Sequence, residues 1–210
     1  TDESIMPQPE DYCHVTLAFP VGGWHSQHEM VTACVLQTLL GGGSSFSAGG
    51  PGKGMYTRMY RNVLNRFGKV ESAEAVTSFT DETGLMGVSG STAAPEMVHD
   101  LVMILTEQLI NVIAKQITDE ELLRAKNMLK CNVLSQLESR LVLFEDIGRQ
   151  VLTYDKHESA KTTCARIDAV KAEDMKMLIA KMLQSGPTIA ATGKHLDKVP
   201  NDREVSRWLR

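Results

Sequence analysis

The chain has 210 residues, 42% hydrophobic and 23% charged, with 26 acidic against 22 basic side chains for a formal net charge of −4. A chain of that size can bury a sizeable core as one large domain or two closely packed small ones. Its mild negative charge argues against a nucleic-acid partner and leaves room for a cationic ligand. No apolar run approaches the ~20 residues of a membrane-spanning helix, so a soluble domain is expected. Cys13, Cys34, Cys131 and Cys164 lie far apart without any CxxC, which speaks against a zinc knuckle or a dithiol redox site and reads as four reduced thiols. No signal peptide or Arg/Ser-rich presequence is visible, and the polar start TDESIMPQPED reads like the middle of a longer chain.

In chain order, residues 12–19 alternate as a strand with Cys13, Val15, Leu17 and Phe19 on one face, closed by Val21, Gly22 and Gly23. From Ser26 to about Leu40 the apolar positions Met30, Ala33, Cys34, Leu36, Leu39 and Leu40 predict a helix, with Ser26 and Glu29 forming a capping box. Residues 55–67 (MYTRMYRNVLNRF) repeat Met55, Met59, Tyr60, Val63, Leu64 and Phe67 at helical spacing, beside a solvated basic face of Arg58, Arg61 and Arg66, and Gly68 ends the helix. Residues 70–80 and 85–92 predict two antiparallel strands joined by a tight connection, Asp81-Glu82-Thr83-Gly84.

Pro95 opens a long amphipathic helix, where its missing N–H costs nothing, with Met97, Leu101, Ile104, Leu105, Leu109, Val112 and Ile113 as its stripe. Thr118 and Glu121 read as a second capping box, before a helix that turns Leu122, Ala125, Leu129, Val133 and Leu137 inward. Residues 141–154 and 172–183 are helical in spacing, residues 188–192 form a short β-like run, and a polar tail follows. Strands grouped among helices predict an α+β fold, with an antiparallel-rich sheet and helices packed on one face.

Residues 41–54, GGGSSFSAGGPGKG, hold seven of the 16 glycines. A glycine run serves a linker, a phosphate cradle or a loop lying against a ligand. Helical spacing runs directly into and out of this one, which disfavours a linker. A P-loop requires Ser or Thr after its lysine, whereas Lys53 precedes Gly54 and Ser47 stands at the first glycine position, and no phase of GxGxxG fits. A loop lying on a ligand or partner remains.

The segment His25-Ser-Gln-His28-Glu29 reads HxxHE, whereas zinc peptidase helices need HExxH or HxxEH so that both imidazoles share a face. A helix-start polar cluster fits better than a metal site built from His25, His28 and Glu29. No GxSxG elbow is present, and Glu120 and Glu121 read as first-turn helix charges. In residues 137–152, Glu138, Arg140, Glu145, Asp146 and Arg149 form either a buried ion-pair network or an ordinary amphipathic face.

The stretch GGGSSFSAGGPGKGMYTRMYRNVLNR resembles the glycine-rich loop and following helix of non-catalytic alpha-type subunits in the insulinase/pitrilysin-type metallopeptidase family. TGL at 83–85, ELLRAKNML at 121–129 and LESR…FEDIGRQVL within 137–152 add to the match. The resemblance covers residues 12–193 and corresponds to the C-terminal half of such a subunit, leaving 1–11 as a polar lead-in and 194–210 as a C-terminal tail. It implies a metallopeptidase-like half-subunit without a complete active site, paired as a heterodimer with a zinc-bearing beta subunit that carries the HxxEH ligands. This chain would itself hold no cofactor.

The resemblance also implies a substrate: the Arg-rich, amphipathic presequences of proteins imported into the mitochondrial matrix. The substrate-binding residues it carries over are Gly41, Gly42, Gly43, Ser44, Ser45, Phe46, Ser47, Ala48, Gly49, Gly50, Pro51, Gly52, Lys53 and Gly54, together with Asp81 and Glu82, an acidic pair in reversed order. Arg58, Arg61 and Lys53 would repel a basic peptide and are expected to face away from it or towards the partner. The alternative within the same family is a core structural subunit of the respiratory cytochrome bc1 complex, associated with the inner membrane.

Overall fold

The computed structural model describes residues 11–44 and 55–209. Strand β1, Cys13–Gly22, is flanked by β4, Thr83–Thr92, and β5, Thr188–Gly193. With β2, Gly42–Ser44, and β3, Ser72–Phe79, they form one antiparallel sheet in the order β2-β3-β4-β1-β5. Cys13, Val15, Leu17 and Phe19 are fully buried, because alternate side chains of a strand share one face. β1 runs three residues beyond its predicted end, through Pro20. Its pairing with β5 stops at Ala18, so a residue without an N–H sits where one side of the strand is already open.

Among the described residues seven α-helices accompany the sheet: α1 Gln27–Leu40, α2 Val98–Ala114, α3 Asp119–Leu137, α4 Arg140–Tyr154, α5 Ala160–Ala169, α6 Ala172–Ser185 and α7 Asp202–Trp208. α1 packs on β1 and β3, and on its other sides against α3, α5 and α6. This encirclement buries Val31 and Val35 as well as the predicted Ala33, Leu36, Leu39 and Leu40. The stretch Pro95–Ala114 is, against expectation, long and apolar enough to cross a membrane by length and composition alone, but more than half of it is buried inside the fold. Its apolarity is that of a core helix set between β4, α6 and α7.

Several local expectations change. Ser26 makes no side-chain cap on α1. Glu29 reaches back past it to accept from Gly22 N at 2.7 Å, so its carboxylate closes the β1–α1 connection instead of completing a capping box. Thr118 does cap α3 by accepting from Glu121 N, but the Glu121 carboxylate goes to Arg58. The helix expected over 55–67 shrinks to a short segment with a π-turn at Tyr60–Leu64, where Asn65 N donates five residues back to Tyr60 O. α5 was not anticipated: Ser159 caps it, but Ile167 is its one buried side chain, so it shows no apolar stripe. The stretch read as a polar tail carries α7, whose Val205 is fully buried.

Candidate functional site

The entrance to the glycine-rich loop is built into the sheet edge. Gly41, Gly42 and Gly43 take φ of 57°, 112° and 153°, values that L side chains rarely adopt. Gly42, Gly43 and Ser44 pair with Glu74, Ala73 and Ser72 of β3. A Cβ on Gly42 would lie 1.9 Å from Ala73 O, and one on Gly41 would lie 2.3 Å from Thr57 Cγ2. Gly41 O accepts from Ala75 N at 2.9 Å. The described part of the predicted loop, Gly41 to Ser44, is thus a stem. Ser45, Phe46, Ser47, Ala48, Gly49, Gly50, Pro51, Gly52, Lys53 and Gly54 lie outside the described residues.

The chain returns beside that stem, since Thr57 abuts Gly41. Next to it Arg58 is 8% exposed, which corrects the solvated basic face expected for it, while Arg61 and Arg66 are exposed. Arg58 Nε and Nη2 donate to the two Glu121 carboxylate oxygens at 2.7 and 2.8 Å, and Nη1 donates to Asn111 O at 3.2 Å. The planar guanidinium fork matches a carboxylate at both oxygens, and the third bond answers the remaining face, so burial of the charge is tolerated. The loop exit is thereby tied to the α2–α3 junction.

Asp81 and Glu82 sit exposed at the β3–β4 turn, at the other end of β3 and roughly 20 Å from the stem at about 3.3 Å per residue. The turn is held against the end of β1. Gly23 N donates to Glu82 O, Trp24 N to Thr80 O and His25 N to Asp81 O, at 3.2, 3.0 and 3.4 Å. Asp81 Oδ1 lies 3.0 Å from His25 Nε2, whereas the Glu82 carboxylate meets no ion-pair partner among the described residues.

The three ionisable side chains of the HxxHE segment each meet another residue of the fold. His25 faces Asp81, His28 Nε2 lies 3.6 Å from Asp174, and Glu29 accepts from Gly22 N and from Lys181 Nζ at 2.8 and 2.9 Å. Partial burial pushes the Glu29 carboxyl up, but the Lys181 ammonium and the Gly22 N–H outweigh it and leave the group below its ordinary value. Among the described residues no three His, Cys, Asp or Glu side chains gather as a metal-binding group. All four cysteines are free thiols, and burial raises that of Cys34 to about 11.

Residues 137–152 form neither a buried network nor an ordinary amphipathic face. Glu138, Arg140 and Glu145 are exposed. Asp146 accepts from Arg149 and Gln150, each at 2.6 Å, and α4 contains no buried residue. Just beyond α4, Glu158 is held by Arg166 and by Lys156 at 2.9 Å. The Arg166 hydrogen bonds first and Lys156 second bring its carboxyl down from 4.5 to about 2. The folded value lies below the unfolded one, so this contribution to stability is present above pH 4.5 and is lost as pH falls towards 2. Glu158→Gln is expected to flatten that part of the acid-unfolding profile, read as urea midpoint against pH. An unchanged slope would mean that the pair contributes nothing to folding.

Residues 2–129 match the family model described as the peptidase M16 inactive domain. The chain is 42% identical over 197 residues to a mitochondrial-processing peptidase subunit alpha from Solanum tuberosum, covering 93% of this chain and 39% of the relative. Against the subunit alpha from Bos taurus it is 42% identical over 181 residues, covering 86% and 34%, and against that from Homo sapiens 40% over 171 residues, covering 81% and 32%. The chain therefore spans two fifths or less of the length of these relatives. Among solved structures, a chain of complex III2 from Candida albicans with Inz-5 bound superposes with a TM-score of 0.82 at 18% identity, over 97% of this chain and 48% of that one. At that identity the likeness is one of fold.

Proposed function

This chain belongs to the peptidase M16 family, and on that premise we propose that it is the presequence-binding, non-catalytic C-terminal half of a processing-peptidase alpha subunit. It works in mitochondria beside a zinc-bearing beta subunit that cuts the bound precursor. The observation that carries this reading is the condition of the HxxHE segment: in a chain of a peptidase family, His25, His28 and Glu29 are each turned to another residue of the fold. What this chain offers a substrate is a glycine-rich loop rooted on the sheet edge and an acidic turn held at the far end of β3. Backbone groups of such a loop can contact an extended peptide without reading its side chains, while Asp81 and Glu82 offer carboxylates to guanidinium groups. The backbone bonds to Gly23, Trp24 and His25 hold that turn in place before the ligand arrives, which lowers the ordering cost of binding. A core-subunit role in a respiratory complex shares the fold, and the alpha-subunit relatives favour the first reading.

The test is titration of a fluorescein-labelled, Arg-rich presequence peptide against the protein and its Asp81→Asn/Glu82→Gln variant. Exposed pairs contribute roughly 0.5–1 kcal/mol each, so affinity is expected to fall by about five- to thirtyfold at low salt. The difference should shrink towards nothing near 0.5 M salt, roughly where screening reaches within a few ångströms. Equal affinity at low salt would remove the acidic pair from the binding surface.

A further inference from the structure

A groove of about 820 Å³ lies between α1, α3, α4 and α5, floored by Trp24, Met30, Phe79, Val133, Leu137 and Leu143. It is separate from the loop stem and opens beside the acidic turn. Phe79 precedes that turn by two residues, Trp24 N is bonded to Thr80 O, and Tyr154 at the end of α4 donates to Trp24 O at 3.0 Å. α4 packs chiefly on α3, and its side facing α1 lines the groove from Val142 to Gln150, about 12 Å at 1.5 Å per residue.

The charges around this apolar floor favour one kind of occupant. Among its charged side chains Arg149 is paired with Asp146, and Glu158 is held by Arg166 and Lys156. Glu145 on the wall and Glu82, whose carbonyl accepts from Gly23 N next to Trp24, are exposed and meet no ion-pair partner among the described residues, and Asp81 pairs with His25. The residual field is negative beside an apolar trough about two helical turns long. A helix laid in such a trough is anchored by its apolar face and oriented by its charges.

We propose that this groove receives the apolar face of a basic amphipathic helix, with the arginines of that helix directed to Glu82 and Glu145. The inference rests on the presequence-binding reading and adds what that reading lacks: a site for the apolar half of the ligand. The acidic turn then reads the charge of the peptide, and the groove reads its amphipathicity.

Two 18-residue peptides test it, one with Leu and Arg on opposite helical faces and one of the same composition scrambled so that no apolar face forms. The full chain is used as the Trp208→Phe variant, which leaves Trp24 as the one remaining of two tryptophans and so a reporter in the groove. The amphipathic peptide is expected to bind about tenfold more tightly than the scrambled one and to shift Trp24 emission to shorter wavelength. Leu143→Glu, at a side chain already 36% exposed, should abolish that preference while leaving the melting temperature within a few degrees.

Equal affinity of the two peptides, or an unmoved Trp24 spectrum, overturns the groove. If Asp81→Asn/Glu82→Gln weakens both peptides and Leu143→Glu weakens neither, the groove falls and the presequence reading stands. If neither variant changes binding, both fall. A dimer in sedimentation equilibrium that Leu143→Glu dissolves, without any change in peptide affinity, would give the groove to a second copy of the chain and overturn the proposal.

Discussion

Glu121→Ala is expected to lower stability by about 3 kcal/mol, and the thermal midpoint by roughly 6–12 °C for a domain of this size. The cost arises because the substitution strands the Arg58 guanidinium, whose side chain is 9% exposed, with only the Asn111 carbonyl at Nη1. Removing one partner of a buried pair leaves a desolvated charge unanswered, whereas removing both replaces the pair by ordinary packing. The double variant Arg58→Met/Glu121→Leu should therefore recover most of the loss. The same pair fastens the loop exit, since Arg58 follows Thr57 and Thr57 abuts Gly41. Presequence affinity of Glu121→Ala, measured well below its melting temperature, should consequently fall more than that of the double variant. A double variant no more stable than Glu121→Ala would show that the pair is not what holds this junction.

Gly42→Ala is expected to cost about 3 kcal/mol through one backbone position. At φ 112° an L side chain is strained, and its Cβ would lie 1.9 Å from Ala73 O, so β2 must leave β3 or twist away from it. Among the described residues three pairs hold β2 to the sheet, which makes detachment the easier response. Faster hydrogen exchange at Ala75 N, which donates to Gly41 O, would report it directly. Gly68→Ala serves as control: nothing lies within 4 Å of its Cβ position. That change should be neutral or stabilise by up to about 1 kcal/mol, through the reduced freedom of the unfolded chain. Protection of Ala75 equal to wild type in Gly42→Ala would mean that β2 absorbs the methyl group, and the stem would lose its claim to require glycine there.

In sequence alone, periodicity identified β1, α1, α2, α3, α4, α6 and the β3–β4 hairpin, because the spacing of apolar residues within an element is a local record of which face it buries. A tight β3–β4 connection was legible through its glycine, but it closes over residues 80–82, with Thr83 and Gly84 already in β4; the departure of HxxHE from a zinc motif was legible from its spacing. α5 was not, since a helix that buries little beyond Ile167 carries no stripe to read.

Partners chosen across distance are another matter. Arg58 looked like one of three exposed bases until Glu121, 63 residues on, came to meet it. Glu29 looked like half of a capping box until the end of β1 presented Gly22 N and α6 presented Lys181. The order of Asp81 and Glu82 does not distinguish them, and only the fold gives His25 to the first and leaves the second with no ion-pair partner among the described residues. The sequence by itself determined most of the elements, the α+β class and the location of the glycine-rich segment, since each depends on residues close along the chain. The tertiary structure alone decided which charges are spent and which remain for a ligand, because charge pairing depends on distance in space and on the water that burial removes.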